Sequence, residues 1–113
     1  MAQIIEGISH IDTKELHSLL QNPANTAVVI DVREPHEYQA AHIPGVPLIP
    51  MGEIPNRMEE FDRNQEYIFV CRSGSRSFEV ARYFQALGFP RVHNYLGGML
   101  NWDREVISGS SPE

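Results

Sequence analysis

The chain has 113 residues, of which 42% are apolar and 21% are charged, and this size and composition are typical of one globular domain. They exclude wholesale disorder, a collagen-like repeat and a coiled coil. Nine basic residues against fifteen acidic ones give a net charge of −6, which argues against nucleic acid as a partner. No apolar run approaches the roughly 20 residues of a membrane-spanning helix, so no membrane partner is predicted.

A single cysteine, Cys71, excludes an internal disulfide and a zinc site built from several thiolates. The five histidines lack the paired spacing that metal ligands have, so we predict neither a metal nor another cofactor. Residues 1–8 lack the basic flank and the long apolar stretch of a secretory signal, and we therefore expect a cytoplasmic protein.

The first half of the chain predicts helices around a buried strand. Asp12 and Glu15 have the spacing of a capping box, and the leucines that follow share one face of a helix. The continuous apolar run at residues 27–30 is typical of a strand that is buried on both faces of a parallel sheet. Pro35, at a first helical position, then opens a short helix that extends to Ala40.

The middle of the chain predicts a third strand at residues 46–49 and then a helical region over residues 51–61, which we expect Pro55 to split. Residues 67–70 form another continuous apolar run and predict a further buried strand. A long helix follows, because the apolar residues after this strand have helical spacing up to Gly88, which stands where a helix stop is expected.

The remaining predicted elements, in chain order, are a strand over residues 92–95, a turn at Gly97–Gly98, a closing helix over residues 99–106 with Trp102 in the core, and a frayed polar tail over residues 108–113. Strands that alternate with helices predict a three-layer α/β domain over residues 1–107. In this domain a parallel sheet of about five short strands would have helices on both faces.

We expect the chemistry in the segment from Cys71 to Ser77, which joins a buried strand to the start of a helix. Ligands collect beyond the carboxyl ends of parallel strands, and a helix N-terminus offers unpaired N–H groups to an anion. Arg72 and Arg76 add positive charge, so Cys71 is expected to exist largely as the nucleophilic thiolate, while Gly74 lets the loop curl. The alternative is a buried, inert cysteine, and the two arginines count against it.

Three stretches of sequence, spread in order over nearly the whole chain, match the pattern of one known protein family. They are Ile30-Asp-Val-Arg-Glu34 with Ala41-His-Ile-Pro-Gly-Val46, the loop from Cys71 to Arg76, and Tyr95-Leu-Gly-Gly-Met-Leu-Asn-Trp102. Together these stretches resemble the single-domain rhodanese family of sulfurtransferases. Ala41 and Pro47 depart from the family pattern, which often has Gly and Asn there, and this departure concerns the local backbone rather than the chemistry.

The resemblance to rhodaneses implies a reaction. The Cys71 thiolate would attack the outer sulfur of thiosulfate or a similar small-molecule donor, expel sulfite and hold the sulfur as a persulfide. The resemblance also implies that backbone N–H groups of the loop surround this sulfur, and these belong to Arg72, Ser73, Gly74, Ser75, Arg76 and Ser77. Arg72 or Arg76 would hold the sulfonate end of the donor. The implied acceptor is cyanide, a small thiol, or the thiol of a protein such as thioredoxin.

Two alternatives to this enzyme remain open. The related phosphatases and arsenate reductases have a longer loop between cysteine and arginine than the four residues that separate Cys71 from Arg76, and this disfavours their chemistry. The other alternative is a module that carries or senses a persulfide without catalysing transfer.

Asp31 and Arg33, just after the first apolar run, are supporting candidates. They would orient the active loop, although we favour an ion pair that joins the second helix to the sheet. His42 is expected to be a hydrogen-bonded structural residue.

Overall fold

Residues 2–113 are described by the computed structural model, and they form a five-stranded sheet with helices on both faces. The strands are β1 (Gln3–Ile5), β2 (Ile8–Ile11), β3 (Val28–Asp31), β4 (Tyr67–Val70) and β5 (Val92–Tyr95). The α-helices are α1 (Thr13–Gln21), α2 (Pro35–Ala40) and α3 (Ser75–Ala86), and the 3₁₀ helices are Met51–Glu60 and Gly98–Asn101. The strand order is β1-β2-β5-β4-β3, and neighbouring strands are parallel except for β1 and β2. Among residues 2–113, no helix combines the length and apolar character that crossing a bilayer requires.

The residues of β4 explain why its sequence is continuously apolar. Tyr67 and Phe69 pack with α3 and the 51–60 helix on one face, whereas Ile68 and Val70 pack with α1 on the other. All four are buried, so every position of the strand removes apolar surface from water. The three-layer α/β architecture predicted from the sequence is confirmed.

The helix predictions are confirmed where the signal is local. At the start of α1 the Asp12 carboxylate accepts the Glu15 N–H at 2.8 Å, and the Glu15 carboxylate accepts the Asp12 N–H at 3.0 Å. This reciprocal pair is a capping box, which satisfies two N–H groups that a helix start leaves free. Just beyond α3, Gly88 adopts a φ of +94°, as a helix stop of this kind requires.

The β1–β2 hairpin is missing from the sequence prediction, and it makes the sheet mixed rather than parallel. β1 has three residues, all exposed, so it carries no buried apolar run that would predict a strand. Glu6 and Gly7 form the connecting turn with φ values of +52° and +80°. The hairpin therefore depends on β2, which pairs with β5 and is mostly buried.

The third strand predicted at residues 46–49 is wrong. In the part of the chain described, this segment joins the sheet through a single parallel bridge between Leu48 and Asp31. Two hydrogen bonds of 2.9 Å form the bridge: the Asp31 N–H donates to the Pro47 carbonyl, and the Ile49 N–H donates to the Asp31 carbonyl. Pro47 has no N–H, so a regular ladder cannot extend. The helix over residues 51–60 also runs through Pro55 without splitting, because the fixed φ of proline suits a helix.

The predicted closing helix over residues 99–106 is wrong as well. Helical structure covers only Gly98–Asn101, because the backbone becomes extended at Trp102, whose indole N–H donates to the Glu105 carbonyl at 2.9 Å. Ile107 instead pairs with His42 in an antiparallel bridge. Trp102, expected in the core, is half-buried at its edge against the α1 face.

The C-terminal tail is anchored rather than frayed. The Gly109 N–H donates to the Gln39 carbonyl at 2.8 Å, and the Pro112 carbonyl accepts the Gly45 N–H at 2.7 Å. These bonds tie residues 108–113 to the end of α2 and the segment after it. The sequence signal, a run of small polar residues, does not report such contacts.

Candidate active site

Cys71 lies between the carboxyl end of β4 and the start of α3, and its side chain is fully buried. Its Sγ accepts a hydrogen bond from the Gly74 N–H at 3.1 Å and lies 3.2 Å from the Ser77 hydroxyl. Gly74 is the N-cap of α3 and has a φ of +96°, a conformation that turns its N–H back toward the sulfur. Of the six backbone N–H groups that the resemblance places around the sulfur, that of Gly74 is hydrogen-bonded to Sγ, and Ser77 contacts Sγ through its side chain.

The segment from Gly97 to Leu100 packs against the beginning of the loop and hydrogen-bonds to it. The N–H groups of Met99 and Leu100 donate to the carbonyls of Cys71 and Arg72, each at 2.9 Å. A Cβ at Gly98 would lie 2.4 Å from the Cys71 carbonyl oxygen, so no larger residue fits without moving the loop. The sequence predicts only a turn at this glycine pair and does not predict its contact with Cys71.

Asn94 is a second residue that the sequence analysis missed, since it was predicted only as part of a strand. Its Oδ1 lies within hydrogen-bonding distance of the Ser77 Oγ, and its Nδ2 donates to the Gly74 carbonyl at 3.0 Å. Asn94 and Ser77 are both buried. A polar asparagine at a buried position of a strand was the signal available, because such a side chain needs partners.

The two loop arginines have different surroundings. The Arg76 guanidinium donates to both carboxylate oxygens of Glu37, at 2.7 and 2.8 Å, and so joins α3 to α2. These hydrogen bonds lower the pKa of Glu37 to about 2. Arg72 is exposed and makes no ion pair with any of residues 2–113. Arg76 is thus occupied by an internal partner, whereas the Arg72 guanidinium faces solvent.

Comparison with known proteins agrees with this geometry. A family model described as a rhodanese-like domain matches residues 12–105, which include the loop, Glu37 and Asn94.

The chain belongs to the rhodanese family.

Two rhodanese relatives and one solved structure illustrate the similarity. A candidate sulfurtransferase of Bacillus subtilis, YtwF, is 47% identical over 78 residues, which cover 69% of this chain and 75% of the relative. The thiosulfate sulfurtransferase GlpE of Pseudoalteromonas translucida is 34% identical over 94 residues, with 83% of this chain and 88% of the relative covered. The crystal structure of a rhodanese-like domain protein from Staphylococcus aureus superposes with a TM-score of 0.80 at 35% identity and covers 89% of this chain and 98% of that one.

Asp31 and Arg33 form a buried ion pair in this rhodanese domain. The guanidinium of Arg33 donates to both carboxylate oxygens of Asp31, at distances from 2.8 to 3.1 Å. It also donates to the Ala41 carbonyl at 2.7 Å and to the Glu37 carbonyl at 3.4 Å. The pair therefore joins the end of β3 to the end of α2, which is the interpretation favoured from the sequence.

The other predicted residues of the rhodanese loop lie on its outer side. Ser73 and Ser75 are exposed and border an open pocket of about 270 Å³ together with Phe78 and Gly97. His42 is buried, stacks on the Tyr38 ring at 3.7 Å, and its Nδ1 lies 2.9 Å from the Tyr38 carbonyl. The expectation of a hydrogen-bonded structural histidine is confirmed.

Proposed function

We propose that this rhodanese domain is a sulfurtransferase that carries sulfur from thiosulfate, or a similar anionic donor, to a thiophilic acceptor through a persulfide on Cys71. The observation that carries the proposal is the position of Sγ at the start of α3, with the Gly74 N–H and the Ser77 hydroxyl directed at it. Donors fixed in this way stabilise a sulfur anion without having to reorganise during the reaction.

The proposed reaction has two steps. The Cys71 thiolate attacks the outer sulfur of thiosulfate, the sulfur–sulfur bond of the donor breaks, and sulfite leaves with the electron pair. Cyanide or a thiolate then attacks the terminal sulfur of the persulfide, the new sulfur–sulfur bond breaks, and the Cys71 thiolate is restored. Because the first product leaves before the acceptor binds, the kinetics are of the ping-pong type.

Arg72 is the residue we propose for binding the donor. It is exposed beside the nucleophile and unpaired within residues 2–113, whereas Arg76 is held by Glu37. A guanidinium binds the sulfonate group of thiosulfate through paired hydrogen bonds. The name of the relative GlpE, a thiosulfate sulfurtransferase, supports the choice of donor.

The acceptor must come from outside the chain, since Cys71 is its single cysteine. A small thiol or the thiol of a protein such as thioredoxin would fill this role. The sulfur is fully buried, so donor and acceptor reach it only when the residues around the loop move apart. This burial also favours a second candidate function, a module that stores or senses the persulfide without rapid turnover.

Intact mass spectrometry tests the proposal. Thiosulfate is expected to add one sulfur atom to the protein, and cyanide is expected to remove it and yield thiocyanate. The Cys71→Ser variant should do neither, whereas Ser18→Ala, at an exposed serine of α1 away from the loop, should still take up the sulfur. Thiocyanate production by Cys71→Ser would contradict the assignment. A persulfide that forms but survives excess small thiol would favour storage or sensing over transfer.

A further inference from the structure

An apolar groove of about 360 Å³ borders the active-site loop on the side of Arg72. It lies between the end of α2 and the segment after β5, and its apolar lining includes Leu100, Trp102 and Val106. We call it the rim groove. Leu100 is 62% exposed and Val106 is 44% exposed, so the groove leaves apolar surface in water directly beside the loop. Exposed apolar side chains that share one groove are typical of a binding surface.

The rim groove is fixed to the nucleophile through the backbone. The Leu100 N–H donates to the Arg72 carbonyl, and the Met99 N–H donates to the Cys71 carbonyl, each at 2.9 Å. Gly98 packs against the same two carbonyls, so this segment has little room to shift. A molecule that binds in the groove is therefore held in a defined position relative to the sulfur.

The lining of the rim groove contains one charge that residues 2–113 leave without an ionic partner. Its charged side chains are Arg33, Glu37 and Arg72. Arg33 is paired with Asp31, and both carboxylate oxygens of Glu37 accept hydrogen bonds from Arg76. Arg72 is exposed and makes no such pair. The groove thus combines apolar contacts with a guanidinium that is available to a carboxylate from another molecule.

The chemistry of the loop limits what can occupy the groove. Cys71 is the single cysteine, so the sulfur of a persulfide has to leave to a thiol of another molecule. Thiosulfate and small thiols offer no apolar surface that would cover Leu100 and Val106, whereas a polypeptide that brings a cysteine to the loop does. Arg72 is also free at this stage, because sulfite leaves before the acceptor binds.

We propose that the rim groove binds a protein acceptor whose reactive cysteine is flanked by apolar side chains and a carboxylate. The apolar side chains cover Leu100 and Val106, and the carboxylate pairs with Arg72. Binding in the groove gives the partner's thiol a high effective concentration at the loop, which a free small thiol lacks. The inference rests on the proposed sulfurtransferase function and names the partner of that same site.

The transfer to this partner is a simple exchange between sulfurs. The thiolate of the bound partner attacks the terminal sulfur of the Cys71 persulfide. The sulfur–sulfur bond to Cys71 breaks, Cys71 leaves as the thiolate with the electron pair, and the partner carries the persulfide away. No oxidant or reductant is consumed, because one thiolate and one persulfide are present before and after the step.

Discharge of the persulfide by two kinds of acceptor tests the apolar part of the proposal. The peptide acetyl-Asp-Leu-Cys-Leu-amide has the chemistry of the proposed partner, whereas mercaptoethanol has only the thiol. Leu100→Ser and Val106→Ser should each lower the ratio of the peptide rate to the mercaptoethanol rate about threefold to tenfold, because apolar contact is lost. Leu87→Ser, at an exposed leucine just after α3, should keep the ratio of the natural protein. Equal ratios in all four proteins would overturn the proposal.

The ionic part is tested by pairing a change in the protein with a change in the peptide. Arg72→Gln should slow discharge by the Asp peptide about threefold to tenfold more than discharge by acetyl-Asn-Leu-Cys-Leu-amide. The comparison cancels any effect of the substitution on the loop itself, since both peptides react at the same loop. Arg82→Gln, at an exposed arginine of α3, should affect the two peptides equally. Equal effects of Arg72→Gln on the two peptides would overturn the proposal.

Binding of acetyl-Asp-Leu-Ser-Leu-amide, which has no thiol, tests the groove without sulfur chemistry. In nitrogen–proton NMR spectra the backbone amide signals of Arg72, Leu100 and Val106 should shift on titration, and that of Leu87 should not. The proposal is overturned if the peptide leaves the three groove signals in place. It is also overturned if those signals shift on concentrating the protein alone, because a second copy then occupies the groove. A protein that binds the peptide but takes up no sulfur from thiosulfate would contradict the proposed function and still support the groove.

Discussion

Replacing Glu37 with glutamine removes the carboxylate that holds Arg76 and tests how firmly α2 is tied to the active-site helix α3. Both guanidinium nitrogens of Arg76 that face Glu37 form short bonds, at 2.7 and 2.8 Å. The Glu37 side chain is 18% exposed, so the pair is partly shielded from water. Glutamine keeps the size of the side chain and can accept from Arg76, but it has no charge.

The magnitude follows from the pKa of Glu37. The hydrogen bonds from Arg76 lower this pKa from 4.5 to about 2, a difference of about 2.5, which corresponds to a ceiling of about 3 kcal/mol. The Arg76 side chain is 34% exposed, so screening by solvent reduces the expected loss on Glu37→Gln to about 1–2 kcal/mol at neutral pH.

The effect should depend on pH in a defined direction. A carboxylate whose pKa is lowered in the folded state stabilises the fold fully above its ordinary pKa of 4.5, and this stabilisation is lost as the pH falls toward 2. Urea unfolding of both proteins, followed by circular dichroism at several pH values, measures the difference. We expect a constant difference above about pH 5.5 that shrinks as the pH falls below 4.5.

Glu60→Gln is the matched control, because Glu60 also binds an arginine, Arg57, through two short bonds but lies at the surface. Its effect should be smaller than that of Glu37→Gln at every pH. Equal losses for the two variants, or a Glu37→Gln difference that does not change between pH 7 and pH 3, would refute the reasoning from burial and charge.

Three further predictions concern the loop. Gly98→Ala should lower the free energy of unfolding in urea by about 2–4 kcal/mol, because its Cβ would lie 2.4 Å from the Cys71 carbonyl oxygen. Gly52→Ala, whose Cβ would meet no atom within 4 Å, should lower it little. Equal losses for the two variants would contradict the close packing of Gly98 against the loop. Arg72→Ala should raise KM for thiosulfate about threefold to tenfold with little change in kcat. The control variant Arg82→Ala on α3 should change neither constant. An unaltered KM for Arg72→Ala would reject the role of Arg72 in donor binding. Excess peroxide should oxidise Cys71 to the sulfinic acid, measured by intact mass, because the buried sulfur cannot reach the cysteine of a second chain. A disulfide between two chains on a non-reducing gel would show instead that the sulfur is accessible to another protein molecule.

Some features of the site come from contacts that no local pattern reports. Arg72 and Arg76 both lie close to Cys71 in the sequence, yet only Arg76 forms an ion pair, with Glu37, which is 39 residues away. Asn94 and His10 belong to strands separated by most of the chain, and the parallel pairing of β2 with β5 brings them together. Side-chain hydrogen bonds of this kind depend on sheet order, which the residue pattern does not specify.

The elements that the sequence predicts correctly are those whose signal is local. The apolar run at residues 67–70 reflects burial on two faces, and the capping pair Asp12 and Glu15 satisfies N–H groups one turn away. The position of Cys71 between strand and helix follows in the same way, because both elements have their own periodicity.

The elements that it predicts wrongly are those in which tertiary hydrogen bonds override local preference. Residues 99–106 have a helical pattern, but the backbone becomes extended at Trp102, and Ile107 exchanges two backbone hydrogen bonds with His42. The sequence by itself therefore determines the layers and the position of Cys71 between a buried strand and the helix start that faces it. The tertiary structure alone decides which distant groups hydrogen-bond to the loop, because a backbone or side-chain donor bonds to whichever acceptor the fold brings within reach.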